Sequence, residues 1–248
     1  GYLDEIAIYV GVAKYNSVAF PGQATITPSY LSAPSGNHFT TSGLAITDQM
    51  LDTPENNFCT LNPLHKTGGT YSEGNLKVVS ENSTYKQYYG TMGMSSGKWY
   101  WECKIIDTGS VAPNTQIGIQ ADHGQSMDAN GTSEGSAGIT GGGPDSYAYR
   151  DADGTKKNNV GVSSGTAYGD SFGNGDVIGV MVDMDNGKIW WSNNGTVQAG
   201  GDPANGTGEG FNTLLTNSLY VTGMHYFPAI HLQHDGDTGT WHFNFGQG

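Results

Sequence analysis

Two apolar, β-branched arms face each other across a polar turn in Val177-Ile178-Gly179-Val180-Met181-Val182-Asp183-Met184-Asp185-Asn186-Gly187-Lys188-Ile189-Trp190-Trp191-Ser192. Asn-Gly supplies positive φ angles without steric cost, so Asn186-Gly187 predicts a tight type I′ hairpin. Asn193-Asn194-Gly195 ends the second arm with the same chemistry. Side chains alternate along a strand, so Ile189 and Trp191 share one face and Trp190 takes the other. Trp191 is therefore expected in a core, with Trp190 facing outward or into a neighbouring surface.

Working outward from this hairpin, the remaining apolar runs also alternate with a period of two. Strands are expected at 2–10, 76–79, 98–106, 116–121, 225–231 and 240–245. In Trp99-Tyr100-Trp101 the W-x-W spacing puts both tryptophans on one face, and both are expected in the interior. A helix would show apolar positions three and four apart, and no window of a dozen residues does so without a glycine break. The 39 Gly, with abundant Asn, Ser and Thr, suit many short strands joined by turns. Residues 107–146 and 200–216 are rich in glycine and are expected as long loops, where recognition commonly resides. The fold class expected is all-β.

Net charge narrows the partners. At −13, with only 10 Lys plus Arg, the chain repels phosphate backbones and anionic lipid, so neither nucleic acid binding nor membrane insertion is expected. No run approaches the ~18 apolar residues of a membrane helix. The abrupt start at Gly1 and end after Phe245-Gly246 predict a piece of a longer polypeptide.

The chemical candidates each meet a plainer explanation. Cys59 and Cys103 lack metal-ligand spacing and are expected as buried free thiols. Asp151-Ala152-Asp153-Gly154 opens like a calcium loop, but Val162 stands where the closing Glu belongs, so a polar hairpin turn is expected. Asp183 and Asp185 flank the Asn-Gly turn and are expected to cap it rather than to act as acid and base. His225, His231, His234 and His242 come late in the chain beside Asp235 and Asp237, and are expected as solvated loop histidines. Nucleophile-elbow, phosphate-loop and His-Glu-x-x-His motifs are all missing. No metal, no cofactor and no enzymatic activity are expected.

Five segments, in order, resemble the SPRY family. They are Gly97-Lys98-Trp99-Tyr100-Trp101-Glu102, the run from Phe172 to Val180 containing Gly175-Asp176-Val177-Ile178-Gly179, the Asp183–Gly195 hairpin, Tyr226-Phe227-Pro228-Ala229-Ile230, and Phe243-Asn244-Phe245-Gly246. The resemblance covers about 57–247 and implies a concanavalin A-like antiparallel β-sandwich acting as a binding module. Gly1-Tyr2-Leu3-Asp4-Glu5-Ile6-Ala7-Ile8-Tyr9, with Gly11-Val12-Ala13-Lys14-Tyr15, resembles the closing strand of a laminin-G-like lectin sandwich. The expected organisation is a remnant of that domain at 1–30, a linker at 31–56 and the SPRY-like sandwich at 57–248.

This pairing is similar to virion structural proteins of tailed bacteriophages. It implies a structural or adhesive protein at the extracellular virion surface, in a tail or surface fibre. Its partners would be other virion proteins, copies of itself in a homo-oligomer, and a host-surface glycan or protein. A capsid decoration or fibre-shaft element without host ligand is the alternative, and a glycan-cleaving enzyme a more distant one. Tyr147, Tyr149, Tyr168 and Trp190 are the expected ligand-stacking residues, on rim loops.

Overall fold

A computed structural model describes residues 57–64, 68–80, 86–109, 115–121, 145–158, 165–218, 220–232 and 238–246. The expected first strand, the laminin-G-like remnant and the linker lie outside the described residues, as do His234, Asp235 and Asp237. Cys59–Gly246 forms one compact unit.

Thirteen strands are described: β1 (Thr70–Ser72), β2 (Lys77–Val79), β3 (Lys86–Tyr89), β4 (Lys98–Asp107), β5 (Thr115–Ala121), β6 (Ser146–Arg150), β7 (Thr155–Asn158), β8 (Thr166–Ala167), β9 (Val177–Asp183), β10 (Lys188–Asn193), β11 (Thr196–Val197), β12 (Tyr226–Leu232) and β13 (Thr240–Asn244). They build a larger sheet of seven strands, ordered β1-β2-β13-β4-β9-β10-β11, and a smaller one of six, ordered β3-β12-β5-β6-β7-β8. Each described pairing is antiparallel. This is the all-β sandwich expected from the alternation.

The inward rows of both sheets merge into one core. Trp101, Cys103, Ile105, Val180, Trp191, Trp241 and Phe243 from the larger sheet meet Tyr88, Ile117, Tyr147, Tyr149, Tyr226 and Ile230 from the smaller. Trp191 also joins the layers polar-wise, donating its indole N–H to the Ile117 carbonyl at 2.9 Å. A buried donor without a partner is costly, so this bond also fixes where the indole lies.

One expectation for the tryptophans needs correction and another is met. Trp99 shares the inward side with Trp101, but it sits at the start of β4, is 39% exposed, and donates to the Ser96 carbonyl at 2.7 Å. Trp190 points away from the core yet is 1% exposed. The segment after β11 roofs it: its indole donates to the Thr207 carbonyl at 2.9 Å, and Gly201 packs close against its ring.

The hairpin between β9 and β10 forms where expected, but not as a type I′ turn. Asp183 pairs with Lys188, leaving a four-residue loop in which only Gly187 takes positive φ (65°). Asp183 accepts the backbone N–H of Asp185 and of Asn186, each at 3.1 Å, which holds the loop open. Asn194-Gly195 is the true type I′ turn, with φ of 49° and 80° between the paired Asn193 and Thr196.

The smaller sheet has an unusual outer side. Gln87, Gln116, Gln120 and His231 alternate with core residues on β3, β5 and β12 and yet are buried. The Tyr89 hydroxyl donates to Gln120 at 2.9 Å and also meets Gln87, so this side is a hydrogen-bonded polar layer.

Candidate binding surface

Three of the four expected ligand-stacking residues lie inside the protein, which corrects their placement on rim loops. Tyr147 and Tyr149 belong to β6, directly after the stretch 107–146 read as a loop, and both are fully buried. Alternation aims both rings inward, where Tyr147 reaches the Thr213 carbonyl at 3.1 Å and accepts from Asn217 at 2.9 Å. Tyr149 donates to the Asp170 carbonyl. Burial pushes the Tyr147 and Tyr149 phenols well above their ordinary range, as does the charge of Asp145 on the first and Asp170 on the second. A buried ring has no face to offer a ligand, and the same holds for the roofed Trp190.

Tyr168 is different. It is half-buried and lines an open depression of about 490 Å³ bounded by residues 167–170 and 196–199. Its ring stands edge-on to Tyr149 and to Trp191, each at 5.7 Å between centroids. Its hydroxyl accepts the Trp191 backbone N–H at 3.3 Å, while the Lys156 ammonium lies 5.6 Å from the ring centre. Contact on so many sides leaves it little rotamer freedom, so it enters a complex at low entropic cost.

The depression lies where the edge strands of both sheets, β8 and β11, come to the same margin of the sandwich. Gln198 braces it. Buried at 5% exposure, this side chain accepts the Asp170 N–H at 2.8 Å and donates to the Thr196 carbonyl at 2.9 Å. A side chain on Gly169 would meet Gln198 at 2.4 Å, so glycine is required by the close approach. Ala199 takes a left-handed φ of 54°, a strained value for a residue with a Cβ. Asp170 and Ala199 are exposed. The result is a rigid, open, mildly acidic concavity with one fixed aromatic, suited to holding a ligand. The alternation of 188–192 could not reveal it, because it forms between strands distant in sequence.

The other polar candidates are engaged in structure. Asp183 binds Asn186 and lies 3.6 Å from Lys98. Burial alone would raise its carboxyl, but the Asn186 bonds, Lys98 and the Asp185 amide together hold it below the usual range. Asp185 accepts the Gly97 N–H at 2.7 Å, tying the turn to the start of β4. Asp153 accepts from Thr155 and pairs with Arg150 in the β6–β7 turn, the polar hairpin expected there. His231 and His242 stand on different sheets, His242 pairing with Glu73 at 3.2 Å. Cys59 and Cys103 are buried free thiols. Among the described residues no three metal-ligating side chains come together.

Residues 98–212 match the family model of the SPRY domain. The SPRY domain of human HERC1 is similar in structure, with a TM-score of 0.53 at 15% identity, covering 76% of this chain and 99% of that one. A second human SPRY domain gives a TM-score of 0.42 at 19% identity, covering 69% of this chain and 92% of its own. No curated protein sequence matches the chain significantly.

Proposed function

From the premise that residues 98–212 form a SPRY domain, a family whose members are generally protein-interaction modules, we propose that the chain is a non-enzymatic binding module docking its partner in the Tyr168 depression. The observation that carries this reading is the bracing of an open concavity by a buried Gln198 at a margin where both sheets end. Preorganised walls lower the ordering cost of binding.

We place the module at the extracellular surface of a tailed-bacteriophage virion, in a tail or surface fibre. Support comes from the laminin-G-like signature in residues 1–30 preceding the SPRY region. In that setting the partner is a neighbouring virion subunit, another copy of the chain, or a host-surface molecule.

Hydroxyl-radical footprinting of the chain, free and in its native particle or mixed with host envelopes, tests the reading. Protection concentrated at Tyr168 and residues 196–199 is the expected result. Unchanged labelling there, with protection elsewhere, overturns the depression as the docking site. Failure to locate the chain on an imaged virion overturns the placement.

A further inference from the structure

The outward row of β4, read in register, is Lys98, Tyr100, Glu102, Lys104 and Ile106. Tyr100 is 55% exposed, the most open aromatic ring among the described residues. Its ring is held, not loose. The hydroxyl donates to Glu102 at 2.6 Å, and the ring leans along β4 over Gly179 of β9. A Cβ on Gly179 would meet the ring at 3.0 Å, the Tyr100 hydroxyl at 3.1 Å and the Ser192 hydroxyl at 2.4 Å. The bare backbone at 179 therefore lets the ring lie against the sheet with its other side open to solvent. Glycine inside a strand commonly marks such a close approach.

Polar groups flank the ring in an order. Glu102 pairs across the sheet with Asn244, whose exposed amide donates to it at 3.4 Å. Next along the same face is Lys104, exposed and without an ion pair among the described residues. Of the 10 basic side chains in a chain of net charge −13, Lys77, Lys98, Lys104 and Lys188 all stand on the outer side of the larger sheet. Lys77, Lys98 and Lys188 are each paired with a carboxylate. An acidic molecule repels anions in general, so an unpaired cation beside an open aromatic is the local exception.

We infer that this face binds an acidic oligosaccharide laid along β4. A neutral sugar ring stacks its C–H face on Tyr100, and its hydroxyls bond Glu102 and Asn244. The following acidic sugar places its carboxylate on Lys104. The order comes from geometry: Tyr100 and Lys104 are four residues apart, roughly 13 Å at the rise of a strand, with the Glu102 carboxylate between them. One acidic sugar cannot satisfy both ends, whereas alternating neutral and acidic sugars can. The surface is separated from the Tyr168 depression by β9 and β10, and the inference does not rest on that site.

Native electrophoresis of the whole chain through gels containing hyaluronan, dextran or polyglutamate tests it. Retardation by hyaluronan alone is expected, weakening as salt rises. Tyr100→Ala and Lys104→Gln should each raise the Kd about tenfold or more, Tyr100→Phe should retain binding, and Ala199→Arg in the depression should leave it unchanged. Thermal melting of each variant separates lost binding from lost folding. Absence of retardation, or retardation that survives Tyr100→Ala in a folded chain, overturns the inference. Equal retardation by dextran removes the acidic sugar, and retardation by polyglutamate in place of hyaluronan makes the ligand an acidic peptide.

Discussion

Asp151 is fully buried at the end of β6, its carboxylate accepting the Thr115 N–H at 2.8 Å. Burial pushes its pKa up to about 6, against the lowering pull of the Thr115 and Ala152 amides and of Arg150. A carboxyl that ionises less readily in the fold favours the fold while protonated. That contribution is complete below the unfolded value near 4 and is lost as pH climbs through about 6. Asp151→Asn keeps an oxygen for Thr115 and removes the titration. The variant should gain up to about 3 kcal/mol at pH 7 and lose the slope between pH 4 and 6, read by urea unfolding across that range. Single-residue orientation was legible where alternation alone decides it, as for Ile189 and Trp191. The burial of Trp190 was not legible, because its cover arrives from residues 201–210, and neither was the inward aim of Tyr147 and Tyr149, whose Tyr-x-Tyr alternation signals a strand that the surrounding glycines obscured.

At the scale of the element, the two Asn-Gly turns look alike in sequence and differ in space. Gly195 has a φ of 80° and open space around it, so an alanine there carries only the backbone cost of a left-handed residue. Gly187 has a φ of 65°, and a Cβ would also meet Leu215 at 3.1 Å. Gly195→Ala should cost about 1 kcal/mol and Gly187→Ala more, both measured by chemical denaturation. The longer, aromatic strands were readable from their period of two. The short ones, β1, β7, β8 and β11, hold two to four residues each, too few to display any period. The candidate depression is built from two of them, which is why only Tyr168 hinted at it. Gly179 carried a readable signal, a glycine inside an otherwise apolar strand, but what it makes room for depends on β4.

For the whole molecule, the arrangement follows from pairings between distant parts of the chain. β4, central to the larger sheet, lies between β9 and β13, and β13 in turn joins it to β2. Neither junction can be replaced by a local hairpin. A chain ended before Thr240 should lose its cooperative melting transition outright, rather than a few degrees of Tm, as followed by tryptophan fluorescence. Such non-local closure also predicts slow folding. Because the strand that unites the larger sheet is the last described one to be synthesised, β1-β2 and β4-β9-β10-β11 remain unjoined parts of it until Thr240–Asn244 has emerged. The Asn244 flank of the β4 face then comes into being only when this strand slots between β2 and β4.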